Sequence, residues 1–164
     1  MTALHAAIFL PFVTALGIWV AWSDMKTMKI PNKAVLCLGF VWLALGALIL
    51  PWAIWGWGIA MGLIALFIGF FAAAMGLFGA GDAKFIAAMT PFFVQGNLNF
   101  ILLLSATVLV SALLAHRAWR AIPALRATAP DWQSFVRADF PMGFGLAGIL
   151  IFYLAQKAAP LVLA

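Results

Sequence analysis

From Ala34 to Ala80 the chain carries no charged side chain. A helix rises about 1.5 Å per residue, so roughly 20 apolar residues cross a bilayer's hydrocarbon core. The uncharged stretch therefore fits two crossings and the turn between them. Pro51, among Trp52, Trp55 and Trp57, marks that turn. Proline suits a turn or a first helical position, and tryptophan prefers the membrane interface. The rest of the chain agrees, with 68% hydrophobic and 8% charged residues. A soluble domain carries roughly 25% charged residues, and this chain has too few polar groups to cover its outside. Lipid must be the solvent for most of its surface, and the expected class is an all-α integral membrane protein.

Four more segments complete a bundle of about six transmembrane helices. The first runs from about Leu4 to Trp22. Its start, MTALHAAIF, lacks a basic region, and its apolar run is long for a signal peptide, so it reads as a retained span. A short loop, SDMKTMKIPNK, separates it from the second span. A fourth span from Asp82 to about Asn99 is short and contains Pro91. Its Asp82 end is expected to dip below the membrane surface against a polar cavity. The fifth covers about Phe100 to Ala115 and the last about Phe140 to Ala159. With the Lys26–Lys33 loop in the cytoplasm, eight of the nine basic residues lie inside, and only Lys157 lies outside. Both termini then face the outer, periplasmic side, and residues 1–164 form one transmembrane domain.

The net charge of +5 follows from this bias, so nucleic acid is not expected as a partner. Residues 117–139 set Arg117, Arg120, Arg126 and Arg137 among Trp119, Ile122, Leu125, Trp132 and Phe135. That pattern suits a cytoplasmic segment lying on anionic headgroups, with a solvated basic linker as the plainer alternative. Pro123 and Pro130 argue against one continuous helix. Cys37 is the only cysteine, so no internal disulfide or cysteine zinc cluster forms, and it reads as a small core residue.

The acidic residues are only Asp24, Asp82, Asp131 and Asp139, with no glutamate. Asp24 follows span one and Asp82 opens span four, so the topology puts both at the cytoplasmic face. Ionisable groups at membrane depth are costly and point to function. Two adjacent carboxylates that share one proton suit general acid/base hydrolysis, without a metal or a nucleophilic side chain. Gly79 and Gly81 flank the second aspartate in GAGD. They would let a backbone approach closely or take a positive φ, so that a substrate strand lies against the turn. The plainer alternatives are a helix N-cap for Asp82 and a solvated Asp24 paired with Lys26 or Lys29.

At these residues the sequence resembles the type IV prepilin peptidases, GxGD aspartyl proteases. The first motif is Asp24-Met-Lys-Thr-Met-Lys-Ile30-Pro31-Asn32, and the second is Gly79-Ala-Gly81-Asp82-Ala-Lys84. A weaker third is Pro141-Met142-Gly143, where the family often has tyrosine in the middle. The resemblance implies catalytic Asp24 and Asp82, no cofactor and no metal. It also implies a prepilin substrate in a bacterial inner membrane, cut after the glycine that ends a short basic leader. Lys84 would contact substrate or adjust Asp82, with snorkelling to headgroups as its plainer role. Pro31 and Asn32 would shape the start of span two, with Asn32 also available as its cap. Larger members add paired CxxC motifs and methylate the pilin; Cys37 stands alone, so peptidase activity without methyl transfer is expected. The small size resembles the enzymes of Flp-type (tight adherence) pili. A non-enzymatic scaffold of pilus assembly and a small ion-coupled transporter are the competing readings, and the oligomeric state is open.

Overall fold

A computed structural model describes residues 1–161. Helix α1 spans Ala3–Thr27. Thr2 caps it by accepting the His5 backbone N–H at 3.3 Å, while the His5 ring accepts the Thr2 N–H at 3.4 Å. Its buried positions include Ala6, Phe9, Val13, Gly17, Val20 and Asp24. These steps of three and four draw one stripe along a helix. The stripe carries Asp24 at its end, and it packs mainly on the last long helix, α8 (Met142–Ala158).

Helices α2 (Asn32–Ile49) and α3 (Trp52–Ala74) form the expected hairpin about Pro51. The Trp42 indole donates to the Trp55 carbonyl at 3.4 Å, and the Trp55 indole donates to Leu43 at 3.3 Å. Trp42 also stacks on Phe9 at 5.7 Å and meets the edge of Phe92 at 5.2 Å, which ties the hairpin to the core. A side chain at Gly58 would run into the Trp42 ring and one at Gly62 would press on Ala87 and Pro91, so this glycine pair serves internal packing.

The segment expected as a fourth span is a ten-residue helix, α4 (Ala80–Met89), followed by a 3-10 turn at Thr90–Phe93. The Thr90 hydroxyl donates back to the Ile86 carbonyl at 2.7 Å, and Pro91 then tightens the chain. Helix α5 (Leu98–Ala121) is capped by the Asn97 side chain, which accepts the Phe100 N–H at 3.0 Å. It runs six residues past the expected end at Ala115. Five helices, α1, α2, α3, α5 and α8, are long and apolar enough to cross a membrane, and α4 is not among them. It nevertheless leads from the Asp82 end to the opposite end, where the Met1 amino group donates to the Gln95 side chain near Lys157.

Between α5 and α8 the chain is broken, as the prolines require, into α6 (Pro123–Arg126) and α7 (Gln133–Val136). This segment folds onto the bundle. Phe135 is buried with Met25 and Ala129, and its ring lies 5.7 Å from Trp132 and 5.9 Å from His116. Arg120 donates to the Arg137 carbonyl at 2.8 Å, and Arg117 donates to the Ala138 carbonyl at 3.4 Å. Large apolar side chains line the outside: Leu48 is 81% exposed and Leu36 72%. Cys37 is exposed among them instead of in the core. Such a surface, with five apolar helices, fits an α-helical multi-pass membrane protein.

Candidate active site

Asp24 does not sit in a loop. Helix α1 extends through it to Thr27, and Met28 ends the helix in the left-handed region, with φ 54° and its N–H donating to the Asp24 carbonyl at 2.8 Å. The Ser23 hydroxyl donates to the Lys29 carbonyl at 3.0 Å and pins the reversal. The Asp24 side chain therefore points inward at 5% exposure. Its Oδ2 accepts the backbone N–H of Gly143 at 2.7 Å, within the first turn of α8. A short bond from a helix N-terminus to a carboxylate is charge-assisted, and the helix dipole adds to it. This geometry differs from the plainer alternative, a solvated Asp24 paired with Lys26 or Lys29.

The second carboxylate is placed by the end of α3. Gly76 turns the chain with φ 73°, and the Leu77 N–H donates back to the Ala72 carbonyl at 3.0 Å. That is a left-handed helix cap, which glycine tolerates. Gly79, at φ −69°, precedes α4, so positive φ occurs at Gly76 and not within GAGD. Asp82 stands at the third position of α4 and not at its N-cap, and its Oδ2 accepts the Gly79 N–H at 3.2 Å. A Cβ on Gly79 would lie 2.8 Å from that oxygen, so the glycine is required by close approach to the carboxylate. Gly81 leaves ordinary van der Waals room toward Ile30. Burial pushes the Asp82 carboxyl above its ordinary pKa, and the Gly79 hydrogen bond works against that shift.

The two aspartates open onto the same space. Both line a polar cavity of about 360 Å³ with Met28, Asn32, Gly79 and Lys84. Both also line a second cavity of about 690 Å³ that reaches Arg137 and Asp139 of the 117–139 segment and the adjoining Phe140. Asp82 is near enough for its charge to act on Asp24. Lys84 is exposed, and its ammonium donates to the Asn32 side chain at 3.3 Å, bridging α4 and α2 at the cavity rim. Asn32 is the first residue of α2 and does not cap it; Pro31 holds the cap position, with no side-chain hydrogen bond.

Gly143 is the site residue whose part the sequence did not reveal, and Pro141-Met142-Gly143 was the only signal for it. A Cβ there would stand 3.0 Å from Asp24 Oδ2, 3.0 Å from Ile30 Cγ1 and 3.1 Å from Asp24 Cβ. Only a glycine lets α8 approach the carboxylate this closely.

Chemically, the arrangement offers two neighbouring carboxyls of reduced solvation, each held by a backbone N–H, in a shared polar cavity. No match was found among curated proteins or among solved structures. A family model described as the type IV leader peptidase family matches residues 11–115, which include both aspartates and well over half of the 164 residues. The chain therefore belongs to the type IV leader peptidase family.

Proposed function

We propose that this peptidase is a GxGD-type membrane aspartyl endopeptidase that removes the short basic leader of Flp-like prepilins after a glycine. The observation that carries the reading is the pairing of Asp24 and Asp82 across one polar cavity at the end of an otherwise apolar bundle. One proton is shared by the pair, because two neighbouring carboxylates resist ionising together. The ionised carboxylate takes a proton from water, whose oxygen attacks the scissile carbonyl carbon. The protonated carboxyl donates to the oxygen that gains charge. As the tetrahedral intermediate collapses, the C–N bond breaks and the leaving amine takes a proton from the pair.

The backbone of Gly79 and Gly81 borders the substrate strand, and Lys84 stands where the basic leader meets the apolar helix. The basic-residue bias supports a cytoplasmic placement of this end in a bacterial inner membrane, with both termini outside. Residues 117–139 form an interfacial cover beside the cavity, within a single transmembrane peptidase domain. With one cysteine in the chain, peptidase activity without methyl transfer is the expected outcome.

The test is leader removal from a co-expressed Flp-type prepilin, read by gel shift and N-terminal sequencing. The native chain is compared with Asp24→Asn and Asp82→Asn at equal membrane levels. Cleavage after the leader glycine by the native chain alone supports the dyad. Equal cleavage by all three assigns the cut to another protease and favours a scaffold.

A further inference from the structure

An apolar groove runs along the outside of the bundle from the carboxylate cavity. One face of α2 lines it with Asn32, Val35, Leu36, Gly39, Phe40 and Leu43, in steps of three, one, three, one and three. That spacing keeps all six side chains on one side of a helix. Leu66 of α3 forms the opposite wall and Ala87 of α4 the floor. The groove encloses about 700 Å³ and its walls are nearly all apolar. Its origin is visible in the packing. Trp42 and Trp55 clamp α2 to α3 near the Pro51 hairpin, and α3 packs mainly on α4 beyond it. The two long helices part towards the Asp82 end, and the small residues of α4 sit at the bottom of the gap.

The groove is continuous with the catalytic cavity. Asn32 and Lys84 line both, and their hydrogen bond marks the junction. Beyond it, the lining changes from the two carboxylates to side chains such as Phe40, 69% exposed, and Leu36. From Asn32 to Leu43 the lined face extends about 16 Å along α2, about half the hydrocarbon thickness.

We propose that this groove seats the apolar helix of the substrate while the adjoining leader crosses the carboxylate cavity. The inference rests on the peptidase reading and adds where the uncut part of the substrate is held. Two features choose this occupant over bulk lipid. The polar-to-apolar order of the walls matches a substrate whose basic leader runs directly into an apolar helix. The groove also adjoins the carboxylate cavity directly, through the Asn32 and Lys84 they share. Without hydrophobic drive inside lipid, such docking depends on close packing between helices, and Gly39 supplies an open notch for it. A Cβ on Gly39 meets nothing within 4 Å.

Gly39 lines the groove and accepts a first added carbon without contact, so it is the position at which to fill the groove. Gly39→Ala, Gly39→Leu and Gly39→Trp are compared with Gly56→Trp, at a position outside the groove whose added Cβ also meets nothing within 4 Å. Processing of a full-length Flp-type prepilin should fall progressively with side-chain size at residue 39, by roughly tenfold or more for tryptophan. Gly56→Trp should cut at the native rate. In an Asp82→Asn background, a photoreactive phenylalanine analogue at Phe40 should cross-link the prepilin's apolar segment, and the same probe at Phe70 on α3 should not. Native cleavage by Gly39→Trp, or capture of lipid alone from residue 40, overturns the groove assignment and leaves the peptidase reading standing. If the native chain cuts no prepilin, the peptidase reading fails, and the groove assignment fails with it.

Discussion

Replacing Gly143 by alanine should slow leader removal without unfolding the protein. The substitution keeps the backbone N–H that Asp24 accepts at 2.7 Å. The effect is therefore steric and can be read from the space available. The new Cβ would stand 3.0 Å from the bonded oxygen and 3.0 Å from Ile30 Cγ1, against an ordinary spacing of at least 3.4 Å. The carboxylate and the first turn of α8 must part by a few tenths of an ångström. A hydrogen bond to a charged group contributes about 1.5–3 kcal/mol, and losing half of it costs about 1 kcal/mol. Displacing a catalytic group by a full ångström costs about a hundredfold in rate, so a few tenths should cost about three- to tenfold. Gly143→Val, with two further methyl groups, should fall well below that. The assay is the initial rate of prepilin cleavage in membranes holding equal amounts of each variant. Gly56→Ala serves as the control, since its Cβ meets nothing within 4 Å. A Gly143→Ala enzyme that cuts within twofold of the native rate would refute the argument that this contact sets the carboxylate's position.

Other outcomes follow from the same geometry. Asp24→Asn and Asp82→Asn should each reduce cleavage by at least about a thousandfold, as expected when a member of a concerted acid/base pair is lost; either variant cutting at the native rate would exclude the dyad. Burial pushes the Asp82 carboxyl above its ordinary pKa, against the opposing Gly79 hydrogen bond. The alkaline fall in rate, where the pair loses its shared proton, should therefore begin above pH ~4, and a rate–pH profile already declining through pH 3–4 would count against it. Trp42→Ala removes a ring that is 1% exposed and packed on Phe9 and Phe92. It should lower stability by roughly 3 kcal/mol in detergent denaturation, mostly through the cavity left behind. Arg120→Ala breaks the tie to the Arg137 carbonyl and should speed trypsin cleavage at Arg126 and Arg137, with catalysis less affected than by Gly143→Ala.

The sequence made the membrane class and the carboxylate pair legible for one reason. Lipid permits so few charges that each remaining one is informative, and Asp24 and Asp82 stood out without structural help. The hairpin at Pro51 was equally readable, because proline and interfacial tryptophan act locally. Helix lengths were less so. Ending span one at Trp22 followed the loss of apolar character, but α1 continues through Asp24 because the Gly143 N–H compensates for burying the carboxylate. The fourth segment has an apolar composition of spanning type, yet Thr90 and Pro91 curtail its helix. The positive φ was expected within GAGD and lies outside it for a related reason. The positive φ belongs to Gly76, where α3 ends, whereas Gly79 is needed for its lack of a side chain beside Asp82. Close approach and backbone twist both select glycine, and sequence alone does not separate them. Likewise, nothing in the basic 117–139 run announced that Phe135 would pack on Met25, since that contact spans most of the chain.

The bond from Gly143 to Asp24 joins residues 119 positions apart. Its consequence concerns biosynthesis. Helix α1 is made first and α8 last, so the nascent chain carries both aspartates well before the carboxylate's anchor exists. On the proposed mechanism, the protease is inert throughout its own insertion and gains activity only when its final long helix docks. A ribosome-stalled or truncated product ending after α5 would be a harmless membrane passenger, unable to cut neighbouring proteins during assembly.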